Sequence, residues 1–307
     1  MTPRILPLIF ALALALVPSA SPAKPLADFA FQNGDRVVLL GNTLVERAQR
    51  YGYLETALLA GSGAADLTFR NLGWSGDDVL GSSRGRFGFQ PEGFKHLRDH
   101  VLDLEPTVLI VSYGGNEAFA GEAGLADFEK DLGALLDVLE ETGARILFLG
   151  PPRQEALGGA LPDPAAHNAD LALYAAAIGA IAEERGHYFL DLGQVLPVKD
   201  APDSPNPALT YNSIHLTPEG YAKAAEVLCE QLRLAAPDWP ALEEVRERVI
   251  AKNELYFHRW RPQNETYLTL FRKHEQGNNA AEIPQFDPLI EEAESAIRDA
   301  LASAQKP

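Results

Sequence analysis

Five short runs of β-forming residues recur along the chain, and a helical pattern separates each run from the next. The predicted strands cover residues 36–40, 67–71, 107–113, 145–149 and 188–192. Helices are predicted over residues 44–60, 93–104, 125–142, 168–185 and 218–234. Strands that alternate with helices in this way pair in parallel and are covered by helices on both faces. The sequence therefore predicts an α/β fold, a three-layer sandwich around a five-stranded parallel sheet.

The 307 residues divide into three predicted parts. Residues 1–23 have a basic Arg4, an apolar run and a small-residue stretch, which is the pattern of a secretory signal cleaved after Ala23. The alternative is an uncleaved anchor, but the apolar run is shorter than the ~20 residues that a span requires. Residues 24–236 are predicted to form the main domain, and residues 237–307 a helical C-terminal extension. We expect a secreted or periplasmic protein that is not an integral membrane protein after cleavage.

Charge and cysteine content exclude several classes of function. The 26 Lys and Arg residues against 43 Asp and Glu residues give a net charge of −17, which repels nucleic acid. Cys229 is the single cysteine and is predicted to be a buried apolar residue. The sequence has neither a cysteine cluster nor an H-E-x-x-H motif for a metal, and it implies no cofactor.

Polar residues and glycines follow four of the predicted strands. They lie at 41–43, 73–77, 114–117 and 150–152. Ligands of open parallel sheets bind outside the carboxyl ends of the strands, so these loops are the expected site. The G-x-S-x-G turn of ordinary α/β-hydrolases is missing.

Four of the chain's segments, taken in order, resemble the blocks of the SGNH (GDSL-like) hydrolases. Gly41-Asn42-Thr43-Leu44 matches the first block, Gly-Asp-Ser-Leu, and the segment 71–77 ending Gly76-Asp77 matches the second. The third block, Gly-x-Asn-Asp, is matched by residues 114–117, and the last, Asp-x-x-His-Leu, by residues 212–216. Thr43, Asn212 and the segment 252–262 also resemble a subgroup of secreted hydrolases from planctomycete-type bacteria, which carries Gly-Asn-Thr in place of Gly-Asp-Ser.

This resemblance implies a flavodoxin-like sheet and an esterase or acylhydrolase activity. It makes Thr43 the nucleophile, His215 the base and Asn212 the residue that orients the base. Gly76 and Asn116 become the oxyanion donors. Asn42, Trp74 and Glu117 flank these positions and are predicted to contact a small-molecule or glycan ester; Glu117 replaces the family's aspartate and is interpreted as a loop-stabilising acceptor rather than a catalytic acid.

Two departures from the family pattern leave three alternatives open. Thr43 carries an extra methyl group that crowds the hydroxyl, and Asn212 replaces the carboxylate that normally orients the histidine. In the first alternative Thr43 and His215 act as a dyad, with a backbone carbonyl or Asp203 orienting the imidazole. In the second, the protein is a catalytically silent binding domain whose pocket takes an ester or glycan without turnover, or which binds an envelope partner. In the third, the reactive hydroxyl belongs to Ser75 or Ser213.

Overall fold

A single five-stranded parallel sheet forms the centre of the protein, in a computed structural model that describes residues 24–85 and 90–306. The strands are β1 (Arg36–Gly41), β2 (Thr68–Asn71), β3 (Val108–Ser112), β4 (Arg145–Gly150) and β5 (Tyr188–Asp191). Their spatial order is β2-β1-β3-β4-β5, the flavodoxin-like order. The predicted fold class and all five predicted strands are confirmed.

Eleven α-helices are found in the described part of the chain. They are α1 (Thr43–Tyr51), α2 (Tyr53–Ser62), α3 (Gln90–Asp103), α4 (Leu125–Glu140), α5 (Ala165–Arg185), α6 (Leu192–Val195), α7 (Pro218–Gln231), α8 (Trp239–Trp260), α9 (Glu265–Leu268), α10 (Lys273–Gln276) and α11 (Phe286–Ala304). Short 3₁₀ turns join several of them.

The strands are apolar on both faces because helices cover both. Val38 and Leu40 of β1 pack with buried side chains of α3, α4 and α5 on one face. Val37 and Leu39, which alternate with them, pack with side chains of α2, α7 and α8 on the other. Successive strand residues point to opposite faces, so near-continuous apolar runs are what a sandwiched parallel sheet requires.

The helix predicted over residues 44–60 is in fact two helices. Gly52 interrupts it with φ +71°, in the left-handed region, and its amide closes α1 on the carbonyl of Ala48 at 3.0 Å. A Cβ at this position would lie 3.1 Å from the carbonyl oxygen of Arg246 and from a side-chain carbon of Ile250, both on α8. The apolar periodicity runs through the break, so the prediction missed it.

The C-terminal helices pack along the β2 edge of the sheet. The ammonium of Lys252 on α8 is fully buried, lies 2.7 Å from the carboxylate of Glu55 and donates to the carbonyl of Phe69 at 3.1 Å. Arg70 of β2 forms an ion pair with Glu294 on α11. The helical extension is therefore confirmed, and the predicted boundary at residues 236–237 falls between α7 and α8.

Three further sequence predictions concern Cys229, membrane-spanning helices and the secretory signal. Cys229 is buried, as predicted. None of the described helices has the length and apolarity needed to cross a membrane. The predicted secretory signal, residues 1–23, lies outside the described residues.

Candidate active site

Thr43 is the first residue of α1, directly beyond the carboxyl end of β1. Asn42 caps the helix, with its side-chain oxygen accepting the Leu44 amide at 3.1 Å. Gly41 is required before it, because a Cβ there would lie 2.3 Å from the carbonyl oxygen of Ser112 on the neighbouring strand. The hydroxyl of Thr43 is therefore fixed at the edge of the sheet.

The two predicted oxyanion donors lie beside this hydroxyl. Gly76 adopts φ +74° and donates its amide to Thr43 Oγ1 at 3.0 Å. The side-chain amide of Asn116 donates to the carbonyl of Asp77 at 2.7 Å. Loops that follow three different strands thus meet around one point, the arrangement expected for a developing oxyanion.

A fully buried charged cluster supports the loop that carries Gly76. Arg84 Nε lies 2.7 Å from Asp77 Oδ2, and the same guanidinium donates to the carbonyl of Leu72 at 2.8 Å. The Tyr113 hydroxyl donates to Asp77 at 3.1 Å. Burial raises the pKa of Asp77 and raises that of Tyr113 well above its ordinary value. These buried bonds hold the loop in one geometry, although Nη1 of Arg84 is buried without a hydrogen-bond partner among the described residues.

Two residues that were predicted to contact substrate face elsewhere. Glu117 accepts the amides of Val79 at 3.0 Å and Gly114 at 2.9 Å, and burial raises its pKa to about 7. Trp74 packs against Arg261 and Trp260 of the C-terminal extension. Neither side chain lines the pocket that contains Thr43, whereas Asn42 does. Glu117 is thus the loop-stabilising acceptor that it was interpreted to be, while the ring of Trp74 is held by residues far along the chain.

The loop that carries the predicted base is organised around a buried carboxylate. Glu155 has no exposed surface, and its carboxylate accepts the amides of Lys199 (2.9 Å), Leu209 (3.0 Å) and Thr210 (2.7 Å) and the hydroxyl of Thr210 (2.6 Å). Its backbone amide donates to the carbonyl of Ser213 at 2.9 Å. Sequence reasoning missed Glu155, because its partners lie 44–58 residues further along the chain and form no motif.

Asn212 contacts the imidazole of His215 directly. The Asn212 side-chain oxygen accepts the His215 backbone amide at 2.9 Å, which fixes the carboxamide. His215 Nδ1 then lies 3.1 Å from that oxygen and 2.9 Å from the carboxamide nitrogen. When Nδ1 is protonated it donates to the oxygen and leaves Nε2 free to take a proton; when it is not, the carboxamide donates to Nδ1 and Nε2 carries the hydrogen.

The geometry distinguishes between the alternatives for the group that orients His215 and for the reactive hydroxyl. Asn212 contacts His215, while Asp203 lies exposed and makes no hydrogen bond to it. The Ser213 hydroxyl is buried and donates to the Glu155 carbonyl at 2.5 Å. Ser75 is exposed and is held by its backbone amide, which donates to Glu46. In this structure the hydroxyl of Thr43 and the imidazole of His215 share a pocket without a direct hydrogen bond.

The pocket that contains Thr43, Asn116 and His215 is small, with a volume of about 80 Å³. Phe119 and His167 form one wall, with their rings stacked at 4.0 Å and 21°, and Phe119 is 64% exposed. His167 Nε2 is buried without a hydrogen-bond partner, and burial lowers the pKa of its imidazole. Sequence reasoning missed both residues; only the position of Phe119, three residues after Asn116, gave a local signal.

Charges near His215 also shape its titration. Burial lowers the pKa of His215, and the nearby guanidinium of Arg47 lowers it further. Arg47 is held beside the imidazole by a hydrogen bond to Tyr211, whose ring stacks on His215 with a centroid separation of 5.7 Å. No group of three or more potential metal-binding His, Cys, Asp or Glu side chains occurs within residues 24–85 and 90–306.

Comparison with known proteins identifies relatives for most of this architecture. The model of the GDSL-like Lipase/Acylhydrolase family matches residues 39–223, which is more than half of the chain and ends before α8. No curated protein sequence matches the chain.

Solved structures share the fold. An acetyl xylan esterase, AlAXEase, has a TM-score of 0.50 and 19% identity, covering 64% of this chain and 98% of its own. A catalytic mutant of Axe2, an acetylxylan esterase from Geobacillus stearothermophilus, has a TM-score of 0.51 and 16% identity over 66% of this chain and 96% of its own. At these identities the similarity is one of fold.

Proposed function

The chain belongs to the GDSL-like lipase/acylhydrolase family, and from that premise we propose that it hydrolyses a short acyl ester carried on a carbohydrate or similar small molecule. The observation that carries the proposal is the contact at the end of β1. Thr43 Oγ1 lies 3.0 Å from the amide of Gly76, in one pocket with Asn116 and His215. A hydroxyl, a base and two donors at one point are the requirements of acyl transfer.

The proposed reaction has two halves. Thr43 Oγ1 attacks the ester carbonyl carbon while His215 Nε2 takes the hydroxyl proton and then gives it to the leaving alcohol. The carbonyl oxygen becomes negatively charged and is stabilised by the Gly76 amide, which turns to it from Thr43 Oγ1, and by the second N–H of the Asn116 side chain, whose first N–H donates to Asp77. Water, deprotonated by His215, then attacks the acyl-enzyme, releases the acid and restores the Thr43 hydroxyl.

The protonation state of His215 decides whether the first half can begin. Only the tautomer with hydrogen on Nδ1 leaves Nε2 able to accept a proton, and Asn212 stabilises that tautomer through its side-chain oxygen at 3.1 Å. The same carboxamide stabilises the opposite tautomer through its nitrogen at 2.9 Å. A neutral amide therefore selects the active form less strongly than a carboxylate would, and we expect a slow enzyme.

The size and rim of the pocket suggest the substrate class. The pocket volume of about 80 Å³ is several times the ~10–15 Å³ that a cavity needs to hold one water, so the pocket admits a small acyl group such as acetyl. Phe119 lines the pocket and Tyr211 stacks on His215, and both exposed rings offer apolar faces to a sugar ring. Two of the structural neighbours are acetyl xylan esterases, which agrees with this class.

A second function, binding without turnover, follows from a specific observation. The Thr43 hydroxyl is engaged by Gly76 and makes no hydrogen bond to His215. A pocket held in this state would bind an ester or glycan and release it unchanged. We propose hydrolysis first because the Gly76 amide contacts Thr43 Oγ1 and Asn116 lines the same pocket as Thr43, an arrangement that supports acyl transfer and that a binding site does not require.

One assay series separates the two functions. Purified protein is tested on short-chain aryl esters and acetylated sugars, beside Thr43→Ala, His215→Ala and the control Ser75→Ala, whose hydroxyl lies outside the proposed chemistry. Hydrolysis should fall by at least about 10³-fold in the first two variants and remain within a few-fold of the parent in the third. If activity survives Thr43→Ala, Thr43 is not the nucleophile. Saturable binding without turnover on every ester supports the second function.

Export is part of the proposal. We propose cleavage after Ala23 and a secreted or periplasmic location, and we retain the planctomycete-type subgroup with Gly-Asn-Thr as a prediction. Sequencing the amino terminus of the protein recovered from the periplasm or medium tests the cleavage: a first residue other than Lys24 contradicts the predicted site.

A further inference from the structure

The C-terminal extension reaches the loop that carries the oxyanion amide. α8 ends at Trp260, and the guanidinium carbon of the next residue, Arg261, lies 3.3 Å from the ring centroid of Trp74. The Trp260 ring packs edge-on against the same ring, with a centroid separation of 5.8 Å and an interplanar angle of 68°. Trp74 is two residues before Gly76, so this contact bears on the short segment that presents the donor.

A second contact links Arg261 to the same segment. Arg261 Nη1 lies 3.3 Å from Glu46 Oε2, and this carboxylate oxygen also accepts the backbone amide of Ser75. Glu46 is on α1, one turn beyond Thr43, and only 6% of its surface is exposed. Arg261 therefore holds the loop 74–76 through the ring of Trp74 and, by way of Glu46, through the amide of Ser75.

The extension needs neither of these contacts to stay attached to the sheet. The extension is already fixed to the sheet by the buried Lys252–Glu55 pair and by apolar packing of α8 and α11. Arg261 follows the helix, and 27% of its side chain stays exposed. A guanidinium stacked over an indole is a modest interaction, enough to bias a three-residue loop but not to hold a domain together.

We infer that Arg261 is a positioning residue for the oxyanion hole, and that the C-terminal extension completes the active site by holding the amide of Gly76 in place. The inference rests on the proposed function, because the amide must meet a substrate oxygen. Oxyanion donors act only when they lie about 2.7–3.1 Å from the position that the oxyanion will occupy, so a loosened loop lowers the rate of the chemical step. Binding of the ground-state ester depends on it less.

The test compares Arg261→Ala with a matched variant in the same helix end. Arg259 makes a two-point ion pair with Asp287 on α11, at 2.7 and 3.1 Å, and does not touch the loop. Arg259→Ala therefore removes an arginine from the extension without disturbing Trp74. Arg261→Lys keeps the charge and loses the flat stacking surface.

Two readouts are measured on the full chain. With an aryl acetate, we expect Arg261→Ala to lower kcat about tenfold with KM nearly unchanged, below the 10²–10³ that loss of a whole donor costs. Arg261→Lys should fall between it and the parent, and Arg259→Ala should match the parent. Hydrogen exchange of the backbone amides of Ser75 and Gly76 should quicken about tenfold in Arg261→Ala, by less in Arg261→Lys and not at all in Arg259→Ala, since their protection depends on loop opening.

The exchange readout keeps the two proposals separate. If the parent hydrolyses no ester, the proposed function fails, and exchange at residues 74–76 still reports whether Arg261 holds the loop. Unchanged exchange in Arg261→Ala overturns the inference, and so does an equal change in Arg259→Ala, which would mean that any weakening of the extension loosens the loop. A drop in kcat without faster exchange also overturns it, because the effect would then not pass through the loop.

Discussion

The site has two walls that are held in different ways. The oxyanion wall consists of the loops that carry Gly76 and Asn116, and the base wall is the loop that carries Asn212 and His215. On the oxyanion side, charged side chains lie directly behind the working groups: Asp77, whose carbonyl accepts from Asn116, is paired with a fully buried Arg84. On the base side, the buried charge of Glu155 holds the loop, while the imidazole of His215 meets only the neutral carboxamide of Asn212. Both walls are well defined in position, but in neither does a buried charged side chain of the described residues hydrogen-bond directly to Thr43, Asn116 or His215. In this site, the positions of the proposed reacting groups and the charges around them are therefore set by different residues.

The largest expected effect tests the position of the base wall. Glu155→Ala leaves the buried amides of Leu209 and Thr210 without an acceptor, and we expect the free energy of unfolding to fall by about 3–5 kcal/mol. Denaturant titration measures it. The control is Asp203→Ala in the same loop region, an exposed position where a change within about 0.5 kcal/mol is expected. Equal stability of both variants would mean that Glu155 does not organise this wall.

The next largest expected effect tests the charge of the base wall. Asn212→Asp supplies a carboxylate to His215 Nδ1, and since the reverse change in a serine protease costs about 10⁴ in kcat, we expect a gain of up to about 100-fold in kcat here. Steady-state kinetics on an aryl acetate measures it, with Asn212→Ala as the variant that should lose activity. A fall in Asn212→Asp as well would show that the base wall has been built around the amide and tolerates no charge.

The sequence predicted the site residues of both walls but not the contacts that hold them. Strand-end loops predicted Thr43, Gly76 and Asn116 as neighbours, because the carboxyl ends of parallel strands meet at one edge, and the last family block added Asn212 and His215. What it could not predict are contacts between segments far apart in the chain: Glu155 with the loop around Thr210, and Arg261 with Trp74. Such pairs follow no periodicity and no local spacing.

The same limit explains the smaller errors. The glycine that divides α1 from α2 was read as part of one helix, since the reason for the break is the close approach of α8. Trp74 and Glu117 sit beside site residues in sequence and were therefore predicted to contact substrate, yet their side chains turn to the extension and to backbone amides. Proximity along a strand-end loop indicates the neighbourhood of a site, while side-chain direction is decided by the tertiary packing.

A smaller effect concerns Thr43, the proposed nucleophile, which lies between the two walls. Thr43→Ser removes the methyl group that restricts χ1 and crowds the attack path, and we expect kcat to rise by up to about tenfold. The contact with the Gly76 amide is available to either hydroxyl. Thr43→Val keeps the branched shape without the hydroxyl and should abolish turnover. If Thr43→Ser lowers kcat, the methyl group is holding the hydroxyl in its productive rotamer, and the restriction is useful rather than costly.

The smallest effect is a pH shift that belongs to the base wall alone. His215 works as a base only when neutral, so kcat/KM falls as pH drops through its pKa; burial and the charge of Arg47 lower that pKa, which puts the limb below the ordinary value of about 6.5. Arg47→Gln removes the nearby positive charge and should move the limb upward by a few tenths of a unit, while Arg50→Gln, one turn further along α1, should leave it in place. The pH profile of kcat/KM for the three proteins measures this. An equal shift in both variants would indicate the general field of the helix rather than Arg47, and a limb above 6.5 in the parent would mean that an unidentified negative charge reaches His215.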